Sequence, residues 1–329
     1  MQTMKITEIR NMCVSILMRR GVGLADAEII VDDYIDAELR GKRSHGLVAF
    51  SVALGGLEKR SRYEIQIDKG CYLFIDGKGD IGHIVARDAI NYCIQKAREH
   101  GVGLAGIKNI LRFSMPGPIA KIAADHDMIG IVIEYGGKAF MTAYGGAEAV
   151  ISTNPLGVAI PTADTTSILI DMATSEKALG FVTLASKLGQ IIPDTWGIDK
   201  SGNLTTKPED VVAVVPFGGY KGYSIALALE VLSGPLVGVP VGLQGNLQNR
   251  GALLCVIDPS IFGVRVEDFK RNVSQLIREV KNSRRLEGVS EIFIPGEQGE
   301  RRKIKILERG YLEIEDPLMA ELIKLNERD

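Results

Sequence analysis

Between Phe217 and Gly238 the chain reads FGGYKGYSIALALEVLSGPLVG, three glycines and a lysine set just ahead of an apolar helix. Gly218, Gly219 and Gly222 can take positive φ and let a ligand approach the backbone closely. Lys221 adds a compact positive charge, and the N–H groups at the start of the following helix add donors. That set suits an anionic group, most simply a phosphate. The spacing differs from GxxxxGK[ST], so this is not a Walker A loop. Taken alone, the turn fits either a ligand site or plain structural punctuation before a buried helix. The other residue type with obvious chemistry is histidine, of which the chain has 4. His45, in Arg43-Ser44-His45-Gly46, either moves a proton near neutral pH or caps the preceding helix and faces solvent. His83 follows Gly82 and suits a helix start, and His100 suits a helix C-terminus, where a cation is mildly favoured. His126, between two aspartates, reads as a surface residue.

The elements that position these residues alternate between helix and strand. Residues 5–20 carry apolar positions at Ile6, Ile9, Val14 and Leu17 in helical spacing. A second helix begins at Asp26 and stops at Gly41. A strand over 71–76, a glycine-rich turn at 77–82 and a long helix ending at Gly101 follow. VGLAGIK and MIGIVIEY read as strands with a helix near 119–127 between them. AVISTNPLGVAIPT and SILIDMAT read as a strand pair joined by a polar turn at 164–167. ALGFVTLASKLG reads as a helix and GALLCVID as a buried strand. EDFKRNVSQLIREVKNS is amphipathic, with Phe269, Val273, Leu276, Ile277 and Val280 on one face. The charged tail from Gly299 is expected to hold a short strand pair and a final helix.

Composition sets bounds. A chain of 329 residues with 46% hydrophobic and 24% charged residues is a globular protein able to bury a sizeable core. A net charge of −2 gives no electrostatic reason to expect nucleic acid or an anionic membrane as partner. The longest apolar run is broken by Glu230, Gly234 and Pro235, so no spanning helix is expected. The N-terminus lacks a signal-peptide apolar core. Cys13, Cys71, Cys93 and Cys255 are scattered, without CxxC, and suit reduced thiols in a cytoplasmic protein; no metal site is expected.

The glycine-rich turn has company. ISTNPLGVAIPT (151–162) is followed at once by LIDMATSEKALGFV (169–182). RGKRSHG lies at 40–46, AREHGVG at 97–103, MIGI at 128–131 and IFIPGEQGERR at 292–302. Together, and in this order, these resemble the type-2 malate/L-lactate dehydrogenase family, which also includes ureidoglycolate, sulfolactate and diketogulonate dehydrogenases and cyclic-imine reductases. The resemblance covers about residues 5–315. It implies NADH- or NADPH-dependent reduction of 2-oxo acids or cyclic imino acids. The implied fold is α/β (α+β) and sulfolactate-dehydrogenase-like. Its cofactor domain (115–261) would be largely antiparallel and not of Rossmann type. Residues 1–114 with 262–329 would form a helix-rich domain for substrate binding and dimerisation. A Rossmann GxGxxG between strand and helix is indeed missing, since Gly101-Val-Gly103 follows a helix and lacks the third glycine.

The resemblance also implies roles. The SHG histidine, His45, is the proton donor, and Ser44 orients its ring or bonds the substrate. Thr153 and Asn154 face the cleft as substrate contacts. Asp171, Met172, Ala173, Thr174 and Ser175 lie near the cofactor, as do Lys221 and Gly222, while Pro295, Gly296 and Glu297 close over it. The implied cofactor is NAD or NADP, the partner a small-molecule substrate, and the assembly a homodimer. Two positions depart from the pattern. The family usually carries arginine four residues after the SHG histidine, where this chain has Ala49. Where its NSxHFG-like motif has histidine, this chain has Arg112. A guanidinium can grip a carboxylate bidentately and a methyl cannot. Arg112 is therefore expected to anchor the substrate from the opposite wall, unless it is a structural ion-pair residue. An unusual substrate, or a silent nucleotide-binding relative, are the alternatives.

Overall fold

The computed structural model of the protein describes residues 1–327 apart from 56, 58–60 and 165, and without the side chains of 52 and 53. The chain opens with a short strand β1 (Gln2–Lys5), helices α1 (Ile6–Arg19) and α2 (Leu24–Leu39), a 3-10 turn at Arg43–His45 and helix α3 (Leu47–Ala53). Strands β2 (Glu64–Lys69) and β3 (Tyr72–Asp76) lead into α4 (Gly82–His100), β4 (Val102–Ile110), α5 (Pro116–Ala124) and β5 (Ile129–Glu134). Then come β6 (Met141–Thr142), β7 (Ala149–Ile151), β8 (Leu156–Ile160), β9 (Ile168–Met172) and α6 (Leu179–Lys187). After β10 (Gly197–Ile198) and β11 (Ala213–Val214), α7 (Tyr220–Ser233) precedes β12 (Arg250–Ile257). The chain ends with α8 (Val266–Asn282), α9 (Glu297–Arg309), β13 (Tyr311–Ile314) and α10 (Asp316–Glu327).

Seven strands make one sheet in the order β2-β3-β4-β12-β5-β8-β9. The β3–β4 pair is parallel and the other neighbours are antiparallel. The sheet thus joins strands from 64–110 to strands from 129–172 and 250–257, across the expected division at residue 114. α4 and α5 cover one face, burying Ile90, Ile119 and Ala120 against Ile107, Val132 and Leu254. α5 lies unusually close because its sheet neighbours are glycines. A Cβ on Gly130 would come within 2.2 Å of Ala120 O, and one on Gly157 within 2.4 Å of Pro116 C. That close approach carries the start of α5, and the loop before it, onto the site.

A second core gathers α1, α2, α3 and α10 around Tyr34 and Phe50, whose rings meet edge-on at 5.5 Å. β13 pairs with β1, bringing the two ends of the chain together. The tail therefore differs from the expected strand pair: residues 297–309 are helical, and the partner of β13 comes from the N-terminus. A smaller sheet, β10-β11-β6-β7, packs with α6 around Met141, Val182 and Val214. α7 also departs from expectation. It is apolar all round, but Tyr220, Ile225, Leu227 and Val231 are exposed. Among the described residues no helix is long and apolar enough to cross a membrane, no group of metal-ligating side chains is found, and the four cysteines are free thiols.

Candidate active site

His45 ends the 3-10 turn between α2 and α3. The turn is fixed from below by Glu38, whose buried carboxylate accepts the Leu47 N–H at 2.7 Å. Ser114 Oγ donates to His45 O at 2.7 Å, tying the turn to the loop before α5. Ser44 Oγ lies 2.9 Å from His45 Nδ1, and no other bond to the ring is present among the described residues. The second ring nitrogen is left for a ligand. Burial first, then the charge of Arg112, lowers the His45 pKa to about 4; Asp171 opposes the shift and Lys42 adds to it. The resting imidazole is neutral.

His45 lines a cavity of about 460 Å³, a size ordinary for small-molecule sites. Of the residues expected at the site, Ser44, Arg112, Thr153 and Ala173 line it too. Thr153 and Ala173 come from different strands' ends, latched together by Thr174: its N–H and hydroxyl both donate to Thr153 O, at 2.9 and 2.8 Å. Asn154 turns the other way. It is buried, donating to Ala226 O at 3.1 Å and to Glu230 at 2.5 Å, so it braces α7. Glu230, which in the sequence is merely a break in an apolar run, also accepts the Ser152 and Gly242 N–H groups.

Asp171 is held from two sides, by Gly117 N–H at 3.2 Å and by Lys42 Nζ at 2.5 Å. Met172 is exposed. Ser175 donates to Lys177 O and forms an isolated bridge with Pro216, while Phe217 N–H donates to Thr174 O. The segment 171–175 and the glycine-rich turn are thereby in contact. Gly218 and Gly219 have φ of 55° and 64°, and Gly219 begins α7 with no side-chain cap. Lys221 is exposed and without an ion pair among the described residues, and Gly222 is buried against Phe217 O. An uncapped helix start, an open glycine turn and an uncommitted lysine are a donor set that fits the anionic part of a dinucleotide. Pro295 O accepts Leu169 N–H at 3.0 Å, Gly296 lies over Leu169, and Glu297 is tied to Lys281 and Arg301, each at 2.6 Å. These three sit at the outer end of β9, outside the cavity.

Four residues that the sequence does not single out as functional shape the cavity wall. Arg250, at the start of β12, stands 3.4 Å from Glu134 at the end of β5; Glu134 is buried and Arg250 partly so, and both line the cavity. Burial raises the Glu134 carboxyl to about 7, although Arg250, Arg112 and the Phe113 N–H pull it down. Tyr34 and His83 complete this corner, their rings 5.1 Å apart. His83 Nε2 accepts Ser114 N–H at 3.2 Å, so a neutral ring carries its proton on Nδ1, which has no partner among the described residues. Arg112 lies among them; its charge acts on His45, His83, Tyr34, Glu134 and Arg250, yet it makes no ion pair among the described residues. His100 and His126 are exposed, away from the cavity.

The cavity joins an imidazole, a guanidinium without an ion pair among the described residues and the 153–173 wall, and known relatives assign the chain to the nicotinamide-dependent oxidoreductases. It belongs to the malate/L-lactate dehydrogenase family, matched over residues 4–323. It is 33% identical to malate/(S)-sulfolactate dehydrogenase of Methanothermus fervidus, with 96% of this chain and 94% of the relative covered. It is 36% identical to L-sulfolactate dehydrogenase of Methanocaldococcus jannaschii, covering 90% and 89%. The solved structure of the sulfolactate dehydrogenase from that organism superposes with a TM-score of 0.86 over 98% of this chain and 96% of that one, at 33% identity.

Proposed function

We propose that the protein reduces a 2-oxo acid, or a cyclic-imine relative of one, with hydride from NADH or NADPH and a proton from His45. The observation that supports this reading most is the shared cavity: His45 from one core and Thr153 and Ala173 from the sheet's edge face the same space. A bound reduced nicotinamide supplies hydride. The residues of this chain do the rest. Lys221, Gly222 and the α7 N-terminus hold the anionic part of the cofactor, and Thr153 and Ala173 bound the reacting end. Ser44 orients the His45 ring, which passes a proton between the substrate's oxygen or nitrogen and solvent. Arg112 supplies the fixed positive charge that receives the substrate carboxylate, a role the Ala49 methyl cannot fill. The apolar surface that α7 and α8 leave exposed, including Ile225, Leu227, Leu276 and Val280, is the surface on which a second copy would pack in a homodimer.

Turnover tests the reading. Reduced cofactor is mixed with enzyme and a panel of oxo acids and cyclic imines, and nicotinamide absorbance is followed. Oxidation dependent on any member of the panel supports it. A protein that binds the cofactor yet turns over none of them would be a nucleotide-binding relative without this chemistry.

A further inference from the structure

We propose that the substrate is a monocarboxylate with a bulky apolar substituent on its 2-carbon, its carboxylate on Arg112 and its substituent in a chamber formed by α1, α2 and α3. The inference rests on the reductase reading above and names the class of substrate for the same site.

Two ends of the cavity differ in kind. On the helical side the lining is Leu17, Ile30, Val48, Ala49, Phe50 and Leu54. No cation among the described residues serves that end. Lys42 is committed to Asp171, and Lys187, at the exposed rim, pairs with Glu321 at 3.5 Å. A second carboxylate placed there would be desolvated without a partner, which is costly. The malate and sulfolactate in the relatives' names each carry two acid groups, and at this end Ala49 offers a second one only a methyl. At the other end Glu134 stands 3.4 Å from Arg250, and Arg112 is the cation without an acidic partner among the described residues of the cavity. One carboxylate balances it; a second would have to sit beside Glu134 or among the apolar side chains.

Tyr34 shows that the two ends adjoin. Its ring packs on Phe50, while its hydroxyl lies within the influence of Arg112, Arg250 and Glu134. The Tyr34 hydroxyl and His83 Nδ1 are buried without partners among the described residues, so the polar end holds donors in excess of acceptors. A single carboxylate suits that excess. In the reaction, the 2-carbon of the C=O or C=N bond gains hydride, the π pair moves to the heteroatom, and that atom takes the proton from His45. The product is a 2-hydroxy or 2-amino acid, and the nicotinamide is oxidised. Open-chain acids and cyclic imino acids share the recognised chemistry.

Binding and turnover separate the two levels of the argument. Isothermal titration of the cofactor-loaded protein uses the unreactive acids 3-phenylpropionate and 4-methylvalerate against succinate. Each buried methylene is worth about fourfold, so the apolar acids should bind about 10-fold or more tighter. Equal or stronger succinate binding overturns the inference. Turnover compares phenylpyruvate, 4-methyl-2-oxopentanoate and Δ1-piperideine-2-carboxylate with pyruvate and oxaloacetate. A kcat/KM advantage of about 10-fold or more for any of the first three is expected, and whichever leads tells the open-chain from the cyclic source. Oxaloacetate or pyruvate as best substrate leaves a reductase standing and overturns the chamber. Apolar binding without any turnover leaves the chamber standing and removes the reductase. A49R should narrow or reverse the binding preference; if this variant does not fold, the wild-type comparison decides alone.

Discussion

Lys42 Nζ donates to both the backbone oxygen and the carboxylate of Asp171, at 2.6 and 2.5 Å, across 129 residues of sequence. It stands three residues before His45 and one end of the DMATS segment receives it. The bond therefore ties the turn that carries His45 to the segment proposed to bound the cofactor. Lys42→Met keeps the length of the side chain and removes both bonds. A small displacement of reacting groups can cost about 100-fold in rate, so kcat should fall by about that factor with cofactor affinity little changed. A kcat within threefold of wild type would show that the brace does not position the site.

Arg112 makes no ion pair among the described residues although it lies beside Glu134 and Arg250. A charged hydrogen bond contributes about 1.5–3 kcal/mol. Arg112→Ala should then raise KM for a carboxylate substrate about 10- to 150-fold and leave the cofactor dissociation constant alone. An unaltered KM would make Arg112 a structural residue.

The resting state of His45 gives a signed pH dependence. Its pKa is lowered from 6.5 to about 4, so the neutral ring is present above that value and the imidazolium below it. Oxidation of a hydroxy acid needs the neutral base. Its kcat/KM should be level above about pH 5 and fall about tenfold per unit below pH 4. Reduction needs the imidazolium, and its kcat/KM should fall with rising pH from the acid side. Stopped-flow pH profiles in both directions check this. A shared midpoint near 6.5 would contradict a desolvated His45 beside Arg112.

Glu230 accepts from Ser152 N–H, Asn154 Nδ2 and Gly242 N–H in the interior. Glu230→Ala strands these donors, each worth about 1–3 kcal/mol when buried and unmet. Urea denaturation should show a loss of about 3 kcal/mol or more, together with weaker cofactor binding. Stability within 1 kcal/mol, to the nearest order, would mean that water replaces the carboxylate.

Local pattern made much of the fold legible. The apolar spacing in α1, the glycine after α4, and the polar turn between β8 and β9 all act over a few residues. Residues 297–309 misled because the segment is mostly charged, although its few apolar side chains keep helical spacing, with Ile306 the buried one. The pairing of β13 with β1 joins the chain's ends and has no local signature. The site divides the same way. His45 and Arg112 stand out by type within recognisable motifs. Glu134 and Arg250 do not, since their pairing spans 116 residues. Asn154 is legible as a motif member but not in its direction, which depends on Glu230 from α7.

The central claim is proton transfer through His45, and the direct test is turnover of wild type and His45→Ala on the preferred substrate, with cofactor affinity measured alongside. A positioned acid–base group is worth about 10²–10⁴-fold. His45→Ala should lose turnover by that factor with the cofactor dissociation constant preserved. Turnover of the variant within a few-fold of wild type would contradict it.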